Sequence, residues 1–186
     1  MRSSRALFGF VVAVVLSFAA AQQETIVTGA LSGSIDGDAF ALGTYEGAVE
    51  GTRIATAYWN EYLAGSPAVT IIGQSRSSLF SMTPGAIMLD FTLSVPFLSC
   101  PCEAVEASLF YSPDGGFGTN VYVDIDVVTA RVAEAVEVEP GVFRIVGTFR
   151  GTLGLKASMM TPPDPERTVD VVGEFVVERL AEEERE

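Results

Sequence analysis

The chain contains no histidine. That absence removes the usual general base, the usual zinc ligand and the usual switch near neutral pH. Neither a Ser-His-Asp nor a Cys-His machine can be assembled within one copy. Positive charge is scarce too: 11 Lys and Arg stand against 24 Asp and Glu, for a net charge of −13, and Lys156 is the sole lysine. So acidic a surface repels nucleic acid and anionic membranes. There are two cysteines and one tryptophan. Both asparagines lack the hydroxyl residue of a glycosylation sequon, in Asn60-Glu61-Tyr62 and Asn120-Val121-Tyr122.

Long hydrophobic runs are confined to the N-terminus. Arg2 and Arg5 precede an apolar stretch from Ala6 to Leu16, and Ala19-Ala20-Ala21 supplies small residues before Gln22. A positive start, a short apolar core and a small-residue exit are the parts of a cleavable export signal. The stretch is shorter than the roughly 18–20 residues of a membrane-spanning helix. The expected division is a signal peptide over 1–21, a single all-β domain over 22–181 and an acidic frayed tail over 182–186. The expected location is secreted or periplasmic, with no membrane span in the mature chain. No cysteine immediately follows the cut to take a lipid.

Beyond the signal, apolar residues recur with period two. In "TNVYVDIDVV", Val121, Val123, Ile125 and Val127 oppose Tyr122, Asp124 and Asp126. Phe143, Ile145 and Phe149 alternate with Arg144, Thr148 and Arg150. Val169, Val171, Phe175 and Val177 oppose Asp170, Glu174 and Glu178. One apolar and one polar face is the pattern of antiparallel strands covering a core on one side. Turn signals separate the runs: Asp36-Gly37, Ser112-Pro113-Asp114-Gly115-Gly116 and Glu139-Pro140-Gly141. Residues 68–73 and 86–95 read as further strands, and 160–166, with three prolines, as a loop. Residues 52–64 fit either a helix capped by Thr52 and stopped at Gly65, or a strand. Their β-branched and aromatic content favours the strand. The expected fold is an antiparallel β-sandwich or barrel of roughly ten strands.

Gly33, Gly37 and Phe40 open the domain, and Gly147-Thr148-Phe149 with Gly173-Glu174-Phe175 close it. In these motifs the chain resembles secreted bacterial β-sandwich domains of unknown function, many of them envelope lipoproteins. The resemblance implies a β-sandwich and brings no catalytic residues. The lipid-attachment cysteine common in that group is missing here.

Few residues invite chemistry. Cys100 and Cys102 flank Pro101, and two cysteines in an exported chain most often form one disulfide. Residues i and i+2 of an extended chain lie about 6.5–7 Å apart, so a bend at Pro101 is required. A redox dithiol and a soft-metal site are the sharper alternatives. The methionines show no spacing that would complete a metal site. Asp124 and Asp126 share a strand face at a separation some glycosidases use, though a solvated face is the simpler account. Asp36 and Asp38, with Glu46 or Glu50, could surround calcium, but a turn explains them more simply. Gly73-Gln74-Ser75-Arg76-Ser77 lacks the last glycine of a nucleophile elbow, and no histidine exists to activate Ser75.

Tyr58, Trp59 and Tyr62, beside Asn60 and Glu61, could make a stacking platform with polar edges. The functional expectation is a non-catalytic binding or structural module of the cell envelope or exterior, with no metal and no cofactor. Its partner would be an envelope or extracellular protein or a glycan, not nucleic acid. The alternative is a carbohydrate- or small-ligand-binding β domain using the cluster at Tyr58, Trp59 and Tyr62.

Overall fold

Asp36 and Gly37 both adopt positive φ, 50° and 88°. That conformation belongs to the tight hairpin turn whose twist matches the strands it joins. It links β1 (Ile26–Ile35) to β2 (Asp38–Val49), paired from Ile35↔Asp38 onward. The structure, a computed structural model, describes residues 25–49, 51–63, 65–79, 81–116, 120–158 and 160–183. The expected signal over 1–21 lies outside them.

Eleven strands are found among the described residues, and they form one sheet. After the first hairpin come β3 (Thr52–Ala55), β4 (Ala57–Leu63), β5 (Ser66–Gly73) and β6 (Ala86–Leu93). A single 3-10 turn, Phe97–Ser99, leads into β7 (Cys102–Ser112). Then follow β8 (Val121–Asp124), β9 (Thr129–Glu139), β10 (Val142–Lys156) and β11 (Asp164–Glu182). In the ambiguous segment, 52–55 and 57–63 are strand, separated at Thr56, whose buried hydroxyl accepts the Tyr45 N–H at 2.8 Å.

The pairings close a ring, β11–β4–β5–β6–β7–β8–β10 and back to β11. The pairing is predominantly antiparallel, with one exception: β11 and β4 run parallel at Ala181↔Tyr58 and Glu182↔Trp59. Seven strands in a ring cannot alternate in direction throughout, so one seam must be parallel. The remaining seams of the ring are antiparallel. Strands β1 to β3 attach through β1 along Val171–Val177 of β11. Their far side is tied back by reciprocal 2.9 Å bonds between the backbones of Gly43 and Gln74.

Alternation places the core as the sequence implies. Ile145, Phe149, Phe175 and Val177 are buried, while Arg150, Glu174 and Glu178 are exposed and Phe143 and Arg144 are half-buried. Each large apolar side chain buried in this way contributes about 1.5–3 kcal/mol. The motif residues turn out to be cross-strand partners: Gly33 faces Phe40, Gly147 faces Phe175, and Gly173 faces Phe149. The last two pairs are reciprocal, each strand offering one ring and one bare glycine to the other.

The register read in "TNVYVDIDVV" needs a correction. Strand β8 stops at Asp124, and Ile125 and Val127 are exposed, Val127 at 80%. The carboxylate of Asp126 accepts the Val127 N–H at 2.7 Å, which turns the chain off the ladder. The loop expected over 160–166 is shorter, since β11 already begins at Asp164, paired with Leu155. At the other end Glu182 still belongs to β11, and the Glu183 N–H donates to the Trp59 carbonyl at 2.8 Å. Residues 184–186 lie outside the described residues.

Candidate functional site

Strand β4 presents its residues alternately to the two faces of the sheet. Ala57, wholly buried, sets the inner face, and Trp59 and Glu61 follow it at i+2 and i+4. Trp59 lies opposite Val69, itself 1% exposed. The indole N–H donates to the Gly141 carbonyl at 3.2 Å, in the Pro140-Gly141 turn that joins β9 to β10. That turn is stopped by Gly141 at φ 73°, as the sequence signal demands.

Two phenylalanines meet the indole at this end of the ring. The Phe97 and Phe143 centroids lie 5.7 Å and 5.9 Å from Trp59, both edge-on, and 4.6 Å from each other. Edge-to-face packing of this kind adds roughly 0.5–1.5 kcal/mol per pair beyond burial. Above the cluster lies a cavity of about 300 Å³, lined by Trp59, Phe97, Phe143, Pro67, Pro96 and Leu98 together with Glu61, Gly65 and Ser66. The 3-10 turn forms one wall, buried at Phe97 and 64% exposed at Leu98. A small cavity with aromatic walls and one charged edge is the usual form of a site for a small apolar group.

Cys100 and Cys102 sit directly after that wall. Their Cα atoms are 4.5 Å apart and their sulfurs stand at disulfide distance, with a cis peptide bond at Cys100-Pro101. Both are partly buried against the core. Among the described residues no group of three or more Cys, Asp or Glu is placed to hold a metal. A bridge between i and i+2 closes almost no loop, so it restrains the unfolded chain little. Replacing both cysteines by serine is therefore expected to cost on the order of 1 kcal/mol or less. An unfolding free energy lowered by several kcal/mol in denaturant titration would show that the pair does more than staple its own turn.

The five residues expected to form a stacking platform do not share one surface. Tyr58 and Asn60 occupy the face of β4 opposite to Trp59 and Glu61, and Tyr62 stands 62% exposed at an irregularity in the β4–β5 pairing. Tyr58 is half-buried, and burial pushes its hydroxyl above the ordinary tyrosine range. On the same outer face Asp90 accepts the Thr70 hydroxyl at 2.6 Å. Burial pushes the Asp90 carboxyl upward, and the Thr70 hydrogen bond opposes that shift. No second aromatic ring stacks with Tyr58 there among the contacts described.

The carboxylate pairs are scattered. Asp124 ends β8 and Asp126 lies beyond it, both exposed beside an open groove of about 580 Å³ along Val105–Ala107 and Asp124–Val128. An open groove lined mostly by exposed residues leaves water in place around any ligand. Asp36 accepts the Asp170 N–H at 2.7 Å, and Glu46 is ion-paired with Arg53 at 2.8 Å. The Arg53 guanidinium holds the Glu46 carboxyl below its ordinary range, against the pull of burial. These contacts suit a turn and a strand-edge ion pair.

Sequence reasoning chose Trp59 and Glu61 but missed Phe97 and did not assign Phe143 to a site. Phe143 read as an ordinary alternating core residue. The signal at Phe97 was its position: a lone aromatic between Pro96 and the cysteine pair, outside any strand pattern. Compared with known proteins, the chain matches no family model, no curated protein and no solved structure.

Proposed function

We propose that this chain is an exported, non-catalytic β protein that binds a small apolar group outside the cytoplasm. The ring of pairings favours a barrel over a sandwich, with the aromatic cavity at one open end. The observation that carries the reading is the cavity of about 300 Å³ over Trp59, Phe97 and Phe143. Apolar walls with one polar edge suit a short alkyl or aryl moiety. A glycan is the poorer fit. Sugar stacking needs an open ring face and free polar edges, whereas the edges of Phe97 and Phe143 crowd Trp59 and its N–H is spent on Gly141. The absence of histidine, and of a clustered acid-base pair among the described residues, supports binding without catalysis.

Because Trp59 is the sole tryptophan, its emission reports on the cavity alone. Titration with 1-hexanol is expected to shift that emission saturably. Leu98→Asn, at an exposed wall position, is expected to weaken the response severalfold. No change in emission up to the solubility limit would reject the binding reading. Export has its own check. Intact-mass analysis of protein recovered from outside the cytoplasm is expected to show loss of residues 1–21, and a retained Met1 would reject that cleavage.

A further inference from the structure

Resting on that reading, we infer that the natural ligand carries a cationic end beside its apolar part, for example a primary or quaternary amine on a short alkyl or aryl stem. Glu61 is the charged residue among those lining the cavity. Glu61 is exposed, and its Oε1 accepts the Gly65 N–H at 2.8 Å, which orients the carboxylate beside the other residues of the lining. Among the described residues no Arg or Lys pairs with it.

The surroundings add negative charge. Glu182 lies beside Trp59 in the parallel seam, and the Glu183 N–H is bound to the Trp59 carbonyl. Glu137 accepts the Gly141 N–H at 2.9 Å in the turn that meets the indole. The nearby cations are already engaged: Arg53 with Glu46 and Arg179 with Glu139. On a chain of net charge −13, an anionic amphiphile would meet repulsion and a cationic one attraction. The polar group of Trp59 is occupied, so charge at Glu61 is the feature of the cavity that can discriminate one head group from another.

The test compares three probes of equal stem, hexylammonium, 1-hexanol and hexanoate, by Trp59 emission at low and high salt. Hexylammonium is expected to bind up to about fivefold more tightly than 1-hexanol at low salt, the range of an exposed ion pair. Hexanoate is expected to bind more weakly than the alcohol, and both differences should shrink at 1 M salt. Glu61→Gln, which keeps an acceptor for Gly65, is expected to bring the ammonium and alcohol affinities together. Equal affinities for the three probes in the parent protein, or a preference that survives Glu61→Gln, would overturn the cation inference while leaving the cavity a binding site. Binding of none of the three would reject the apolar site itself, and the inference with it.

Discussion

Gly147→Val is expected to lower the melting temperature by roughly 10 °C, from a destabilisation of about 3 kcal/mol or more. The reason lies in what already occupies the space. A Cβ at Gly147 would overlap the Arg131 carbonyl on β9 and the ring of Phe175 on β11. Neither neighbour can yield cheaply. Arg131 O is backbone in a strand paired to β10, and Phe175 is wholly buried, stacked 5.7 Å from Phe91. Relief requires either β9 to separate from β10 or the Phe175 ring to leave its packed position. Thr148→Val, one residue on and pointing to solvent, supplies the control and is expected to fall within about 0.5 kcal/mol of the parent. A Gly147→Val melt within 3 °C of the parent would show that β9 gives way freely and that the glycine is incidental.

The same pair shows what the sequence could and could not convey. The G-T-F and G-E-F runs were visible as motifs, and alternation assigned their faces, because a strand's period is a local property. That each glycine would sit under the other strand's phenylalanine depends on register across 24 to 28 residues, which no local pattern encodes. The turns at Asp36-Gly37 and Pro140-Gly141 were legible for the converse reason: positive φ is demanded at single positions. The failure at Ile125 and Val127 is also local in origin. Apolar residues kept the period of two past the end of β8, where the Ile125 N–H still reaches Thr152 but the Asp126 side chain takes the Val127 N–H.

The candidate site was legible only in half. Trp59 and Glu61 drew attention by residue type, but Tyr58 and Tyr62 were grouped with them by adjacency, whereas neighbours in a strand point to opposite faces. The other walls come from 3-10 and β10 positions 38 and 84 residues further along the chain, Phe97 and Phe143. They meet Trp59 only because β4 closes the ring against β11, which brings the Pro140-Gly141 turn over the indole. A parallel seam of this kind follows from strand count in a closed ring, and the count needed the structure.

The tie between β2 and the end of β5, outside the ring, is braced by a buried amide, and removing it should be costly. Gln74 is 3% exposed and directly follows β5. Its Oε1 accepts the Thr83 N–H at 3.0 Å, and its Nε2 donates to the Ser78 carbonyl at 2.7 Å. Its backbone meanwhile holds Gly43 of β2. One side chain therefore satisfies two backbone groups of the connection that leads from β5 to β6 and pins it beside β2. Thr83 is 2% exposed, so its N–H would have no ready access to water once Gln74 is shortened. An orphaned buried group costs about 1–3 kcal/mol, and a truncated side chain adds a cavity term. Gln74→Ala is thus expected to lose about 2–4 kcal/mol in urea unfolding, with an unchanged slope. Gln74→Met separates the two causes, since it refills the space but offers neither amide group. If the hydrogen bonds dominate, the methionine variant remains nearly as unstable as the alanine variant, and amide exchange at Gly43 and Thr83 speeds up in both. A methionine variant as stable as the parent would overturn this account, because packing alone would then be holding the connection against β2.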